Sequence, residues 1–395
     1  MSKVKLHISG SKSISNRFLI MEALAGQKVE VQNLSNSDDA LVMQKILSNQ
    51  NETNWNVGHA GTAMRFLTAF AATQNRTISL SGSERMHQRP IGPLVDALRK
   101  LGAEINYLGV EGYPPLKING QGICGGELDI DGQMSSQFIS ALAMIAPRLS
   151  GGLQIEIQNK LVSRPYLAMT LGMMRDFGID TKWVNSSIQI PETKYTVGNY
   201  QVESDWSSAS YWFSFVAMGI VDEISISNYF TNSYQGDAAL IEIFKPLGVD
   251  AILHKNELVL RSSGDRVEKF SYDFHEQPDI AQTVAVCCFE LGIEAELFGL
   301  ETLPIKETDR LLALKIELAK LGGVVQILNQ DTILLAKRIQ KIPTETVQIE
   351  TYKDHRMAMC FAPLAFKYPT IEILDPNVVT KSYPDFWEDV ARLKK

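Results

Sequence analysis

Eight basic side chains stand where apolar stretches begin: Lys12, Arg17, Arg65, Arg89, Lys306, Arg310, Arg356 and Lys381. Arginine grips phosphate and carboxylate in bidentate fashion, and lysine supplies a compact positive charge. A helix start adds unpaired N–H groups and the positive end of its dipole, so cations placed there make a ready anion site. Each one alone reads as a solvated or loop residue. Eight of them, in a chain whose net charge is -7, point to a ligand, or a pair of ligands, rich in negative charge. Two phosphate esters and two carboxylates would carry roughly six charges near neutral pH.

The motifs that present these residues differ in strength. The strand-like run Val4 to Ile8 feeds Gly10-Ser11-Lys12-Ser13-Ile14-Ser15-Asn16-Arg17, where Ser11 or Ser13 is expected to cap the following helix. The spacing is not that of a P-loop. In Gly58 to Arg65, Gly61 lets a ligand approach the backbone and Thr62 is expected to cap. Glu84 to Gly92 carries Arg85, read as a solvated loop residue, and Arg89 ahead of a Pro-started helix. Ser135-Ser136-Gln137 offers small polar donors suited to phosphate or hydroxyl groups, and Ser163-Arg164-Pro165-Tyr166 is a weaker version. Asp279 follows Gln277-Pro278 at a buried helix start, where a cap would explain it. Lys306-Glu307-Thr308-Asp309-Arg310 could be a solvated charged face. It also sets an ammonium beside a carboxylate, as proton transfer next to an anion requires. Asp354-His355-Arg356-Met357-Ala358-Met359 puts another arginine at the mouth of an apolar helix.

The elements that must hold these residues repeat. Amphipathic helices ending at Gly102, Gly178, Gly248 and Gly322 recur every 70–76 residues, each followed by a strand. An earlier copy, Ala40 to Leu47, runs into a trimmed segment, 48–57, and a later one ends at Leu393. The strand expected after that last copy is absent, and Val4 to Ile8 is expected to supply it, bringing the two ends of the chain together. A second set of helices starts polar and turns apolar all round, as buried helices do: Ser13 to Leu24, Thr62 to Ala72, Ser135 to Ala146, Asp205 to Met218, Asp279 to Leu291 and Asp354 to Ala365. This predicts an α/β protein of six repeated βαβαββ-type units, three per domain, with the first unit shortened. The expected domains are 11–203 and 1–10 plus 204–395, joined by a double crossover that acts as a hinge. Parallel buried helices would bring their positive ends, and the eight cations, to one gap.

A chain of 395 residues has room for two such cores. Its pI near 5.5 argues against a nucleic-acid partner. The cysteines Cys124, Cys287, Cys288 and Cys360 lack metal-ligand spacing and suit a reducing compartment. The start has no signal-peptide pattern and no apolar run reaches membrane-spanning length. A cytoplasmic monomer without a membrane partner is the expectation.

Taken in order, Gly10 to Arg17, Gly61 to Arg65, Arg89-Pro90-Ile91-Gly92, Ser135-Ser136-Gln137, Lys306 to Arg310 and Asp354 to Met359 closely resemble the 5-enolpyruvylshikimate-3-phosphate synthase family. The resemblance implies two domains of an inverted, inside-out α/β barrel-like fold closing on shikimate 3-phosphate and phosphoenolpyruvate. It implies no metal or organic cofactor, and a step in chorismate and aromatic amino-acid synthesis. By motif, Lys12, Ser13, Arg17, Ser135, Ser136, Gln137, Ser163, Asp279 and Lys306 would hold shikimate 3-phosphate. Lys12, Gly61, Arg89, Gln137, Arg310, Arg356 and Lys381 would hold phosphoenolpyruvate. Asp279 would be the base, Glu307 the carrier of the C3 proton, and Lys12 their assistant. The pattern departs at His59, Phe66 and Thr302, where the family usually has Asn, Pro and Asn. Two other readings stay open: an enolpyruvyl transferase acting on a UDP-sugar, and a non-catalytic anion-binding relative. The first uses a cysteine on the loop that here reads Met86-His87-Gln88-Arg89, and the retained Asp279 and Glu307 speak against the second.

Overall fold

The structure, a computed structural model, describes residues 3–49, 51–133 and 135–394. The chain divides into two compact units, Gly10–Val202 and Met1–Ser9 with Glu203–Lys395. Each unit has its own apolar core, and the two cores share no residue.

Among the described residues, four sheets follow one strand plan: two parallel strands, then an antiparallel hairpin, in spatial order first, second, fourth, third. In Gly10–Val202 these are Asn54–Asn56, Thr77–Ser81, Leu116–Asn119, Glu104–Tyr107, and Gly126–Asp131, Leu153–Gln158, Ser187–Ile190, Lys182–Val184. In the other unit they are Lys269–Asp273, Glu294–Phe298, Thr332–Leu335, Val325–Leu328, and Lys3–His7, Glu223–Ser227, Glu257–Ser262, Val249–His254. Two further sheets keep only the parallel pair: Val31–Gln32 with Tyr200–Gln201, and Val347–Ile349 with Ile371–Ile373. The trimmed first unit therefore lacks its hairpin, and so does the last, which the six-fold expectation had left complete but for one strand.

Lys3–His7 does not supply that missing strand. It pairs in parallel with Glu223–Ser227, Val4 opposite Ile224 and Leu6 opposite Ile226. The reason lies at the crossover. Tyr200–Gln201, which precedes the helix Trp206–Ala217, is spent on Val31–Gln32. The strand position beside Glu223–Ser227 is thus open, and Lys3–His7 fills it with Leu6 and Ile8 buried. Two strands exchange partners where the chain crosses between units. The crossing residues are pinned: Ser204 Oγ donates to Ile8 O at 2.5 Å and Asp205 N to Ser9 O at 3.3 Å. On the other side, a Cβ on Gly10 would lie 1.8 Å from Asn33 O, so only glycine fits there.

The six apolar helices form the cores. Lys12–Ala25, Gly61–Ala71 and Ser136–Ile145 pack together in one unit, and Trp206–Ala217, Ala281–Leu291 and His355–Lys367 in the other. Their all-round apolar composition suits burial on every face. The amphipathic helices end, as their sequence suggests, with Gly102, Gly178, Gly248 and Gly322 at positive φ. No described helix is long and apolar enough to cross a membrane.

Candidate functional site

In Gly10–Val202 the helix starts converge. Gln137 Nε2, at the mouth of Ser136–Ile145, donates to Thr62 Oγ1 at the mouth of Gly61–Ala71 (3.4 Å). Arg17, from the second turn of Lys12–Ala25, donates through Nη2 to Ser140 Oγ at 3.5 Å. It also donates to Thr170 Oγ1 at 2.7 Å, Tyr166 O at 3.1 Å and Ser13 O at 2.9 Å. Every one of these acceptors is uncharged. The guanidinium lies 5.2 Å above the Phe66 ring, and burial lowers its pKa to about 10. Arg17 is only 1% exposed, so it lies inside the unit rather than on its surface.

Lys12, the first helical residue, sits 3.7 Å from Asp39, a buried acid in the helix Asp38–Ser48. Ser13 is half-buried beside it. The expected side-chain caps are not made. Ser11 occupies the N-cap position, but its hydroxyl makes no capping bond and is buried without a partner. The Gly61–Ala71 helix starts at Gly61, one residue before Thr62, and no side chain caps it. Ser135, read in the sequence only as a polar donor, does cap its helix, accepting Gln137 N at 3.3 Å. The cause is geometric: a hydroxyl caps only from the N-cap position with its oxygen turned onto the first turn. Ser136 is buried. Ser163 holds φ 53°, a strained setting for serine at the mouth of Arg164–Asp176.

Gly61 lies between two arginines. A Cβ there would sit 2.4 Å from Arg89 Nη1 and 3.0 Å from Arg65 Nη1. Arg65 donates to Gly61 O at 3.0 Å and Pro90 O at 3.3 Å, which ties the helix start to the Arg89 loop. Arg89 is half-buried and has no side-chain partner among the described residues. His59 lies two residues before Gly61, exposed, with Nδ1 2.9 Å from Ser83 Oγ.

The second group, within Glu203–Lys395, is of a different kind. Here every cation meets acids. Asp279 Oδ1 lies 3.0 Å from Arg310 Nη1 and 3.4 Å from Lys306 Nζ, and its Oδ2 lies 3.0 Å from Arg356 Nη2. Glu307 bridges Arg310 Nη2, at 2.9 Å, and Lys381. Arg310 is completed by Asp354 Oδ2 at 2.8 Å. The sequence leaves two readings of Asp279, a helix cap or a base. It lies in the turn Pro278–Ile280, caps nothing, and faces the three cations. Burial opposes its charge, yet Arg356, Lys306 and Arg310 hold its pKa well below the usual carboxylate range. Burial likewise works against Arg310, and Asp354, Glu307 and Asp279 more than restore its charge. Burial lowers the Lys306 pKa, with Asp279 opposing.

Three residues of this group carry no role in the sequence reading. Asp354 was visible only as part of the motif containing Arg356. It caps that helix, accepting Arg356 N at 2.9 Å, while holding Arg310. Ser207 Oγ lies 3.5 Å from Arg356 Nη2 and donates to Asp237. The polar start at Asp205 marked the Ser207 helix, but nothing local marked Asp237.

The fold places the chain in a class of known structures. Two solved EPSP synthases from Acinetobacter baumannii match 99% of it, with TM-scores of 0.77 and 0.76 at 22% identity. The match covers 95% and 96% of their own chains. The sequence narrows the class. The family model described as EPSP synthase (3-phosphoshikimate 1-carboxyvinyltransferase) matches residues 2–54 and 48–390. A 3-phosphoshikimate 1-carboxyvinyltransferase of Bacteroides fragilis is 44% identical over 392 residues, covering 99% of this chain and 95% of that protein. One from Pectobacterium atrosepticum is 38% identical over 421 residues, covering 99% and 96%. The chain belongs to the EPSP synthase family.

Proposed function

We propose that the chain transfers the enolpyruvyl group of phosphoenolpyruvate to the 5-hydroxyl of shikimate 3-phosphate, releasing phosphate. The observation that carries this reading is the interlocked set of Asp279, Lys306, Glu307, Arg310, Arg356 and Lys381, found in a member of this family. Shikimate 3-phosphate is held by Lys12, Ser13, Arg17, Ser135, Ser136, Gln137, Ser163, Asp279 and Lys306. Phosphoenolpyruvate is held by Lys12, Gly61, Arg89, Gln137, Arg310, Arg356 and Lys381. The double crossover serves as the hinge between Gly10–Val202 and the remainder. In this reading the enzyme is a cytoplasmic monomer.

In the reaction the 5-hydroxyl attacks C2 of the enol while C3 takes up a proton, giving a tetrahedral ketal. Loss of phosphate and of a C3 proton then leaves the enol ether. Asp279 takes the hydroxyl proton. With three cations around it the carboxylate is a poor base. Substrate phosphate and carboxylate groups compete for those same cations, and each one drawn away makes Asp279 more basic. The base is thus switched on by the arrival of its substrates. Glu307 moves the C3 proton, and Lys381 and Arg310 hold its two oxygens apart in fixed positions. Lys12 assists at the phosphate or hydroxyl side. The remaining cations are fixed before reaction and stabilise charge without reorganising.

The test is phosphate release with each substrate alone and with the pair. Release that requires both, together with the enol-ether product, is expected. Release with a UDP-sugar in place of shikimate 3-phosphate, or none with the pair, would overturn the reading.

A further inference from the structure

Asp237 lies outside every motif that the sequence offers. It sits in the turn Gly236–Ala239 and is 5% exposed. Its Oδ2 accepts the Ser207 hydroxyl. Its Oδ1 is buried and has no hydrogen-bond partner among the described residues. Ser207 is the second residue of the Trp206–Ala217 helix, and its oxygen lies 3.5 Å from Arg356 Nη2. That same nitrogen reaches Asp279 Oδ2 at 3.0 Å. A hydrogen-bonded line therefore runs from a guanidinium, through one hydroxyl, to a buried carboxylate.

The charged and titratable groups around Asp237 come from four elements. Asp205 stands at the start of the Ser207 helix, Asp279 in Pro278–Ile280, Arg356 in His355–Lys367 and Tyr272 in Lys269–Asp273. Burial, aided by Asp279 and Asp205 and opposed by Ser207 and Arg356, pushes Asp237 up to about 7.

We propose that Asp237 is a positioning residue for Arg356, acting through the Ser207 hydroxyl and setting how firmly that guanidinium engages an anionic substrate group. The inference rests on Arg356 holding phosphoenolpyruvate. When Asp237 is ionised it adds a negative charge one hydroxyl away from Arg356. It also polarises that hydroxyl into a better acceptor for the guanidinium N–H. Both effects hold Arg356 back and repel an incoming anion. When Asp237 is protonated, both effects relax. The sign follows: phosphoenolpyruvate binds more weakly as pH rises through about 7.

The test compares wild type with Asp237→Asn, measuring the KM for phosphoenolpyruvate at saturating shikimate 3-phosphate. The ratio of the two KM values cancels the ionisation of the substrate itself. Between about pH 6 and 8.5 the wild-type to variant ratio is expected to climb about three- to tenfold, the size of one charge acting across a partly screened interior. A flat ratio overturns the proposal, and a side chain that merely fills space would give one. Ser207→Ala is the second variant, should Asp237→Asn not fold. Without the hydroxyl that links Asp237 to Arg356, the rise in the KM for phosphoenolpyruvate with pH should shrink, and a rise as large as that of the wild type overturns the proposal. Arg356→Ala separates the two readings. If it leaves the KM for phosphoenolpyruvate unchanged, the assignment of Arg356 fails. If it raises that KM while the Asp237→Asn ratio stays flat, only the role of Asp237 fails.

Discussion

Arg310 is 1% exposed and is held by three acids, Asp279, Glu307 and Asp354. A buried cation is tolerable only while such partners remain, because taking one away leaves charge without compensation in a poorly polarisable surround. Asp354 is itself fully buried and also caps the Arg356 helix. Asp354→Ala should therefore cost about 3–5 kcal/mol of stability, read from urea unfolding. A loss below about 1 kcal/mol would mean that Asp279 and Glu307 suffice. Glu307 makes a contrasting case. Glu307→Gln keeps the shape and an acceptor for Arg310 but cannot carry a proton as a carboxylate does. Turnover should fall roughly 10²–10⁴-fold while shikimate 3-phosphate still binds, and near-normal turnover would remove Glu307 from the chemistry.

At the scale of elements, the Gly61–Ala71 helix shows how packing sets a binding surface. Its first residue leaves room for Arg89, and its sixth, Phe66, lies under the Arg17 guanidinium. Gly61→Ala would place a methyl group 2.4 Å from Arg89 Nη1 and 2.9 Å from its Cζ, so the arginine must move. The KM for phosphoenolpyruvate should rise well above its wild-type value, with that for shikimate 3-phosphate nearly unchanged. Equal changes in both would argue that Arg89 does not belong to phosphoenolpyruvate. These helices were legible in the sequence because their signals are local: a polar start, an apolar run on every face, a glycine at the end of each companion helix. What was not legible was relational. Counting cations predicts anion sites, but no spacing tells that Asp279, Glu307 and Asp354 already pair with the cations of the second group. The unmade caps at Ser11 and Thr62 have the same cause, since a serine or threonine near a helix start does not say which way its oxygen turns. Asp237 is brought to Ser207 only by tertiary packing, across thirty residues.

For the whole molecule, the separate cores of Gly10–Val202 and of Met1–Ser9 with Glu203–Lys395 matter most. Cores that share no residue need not melt together. Trp55 and Trp183 report on one unit, and Trp206, Trp212 and Trp387 on the other. Replacing either set by phenylalanine should give fluorescence unfolding curves with different midpoints. Coincident curves would show the units to be one cooperative block.

The exchanged strand also bears on how the protein is made. Lys3–His7 leaves the ribosome about 220 residues before its partner Glu223–Ser227 is translated. At roughly 5–20 residues per second the nascent strand waits some 10–45 s, while Gly10–Val202 already holds every strand that its own sheets require. During that wait Leu6 and Ile8 lack the cover that the folded unit gives them.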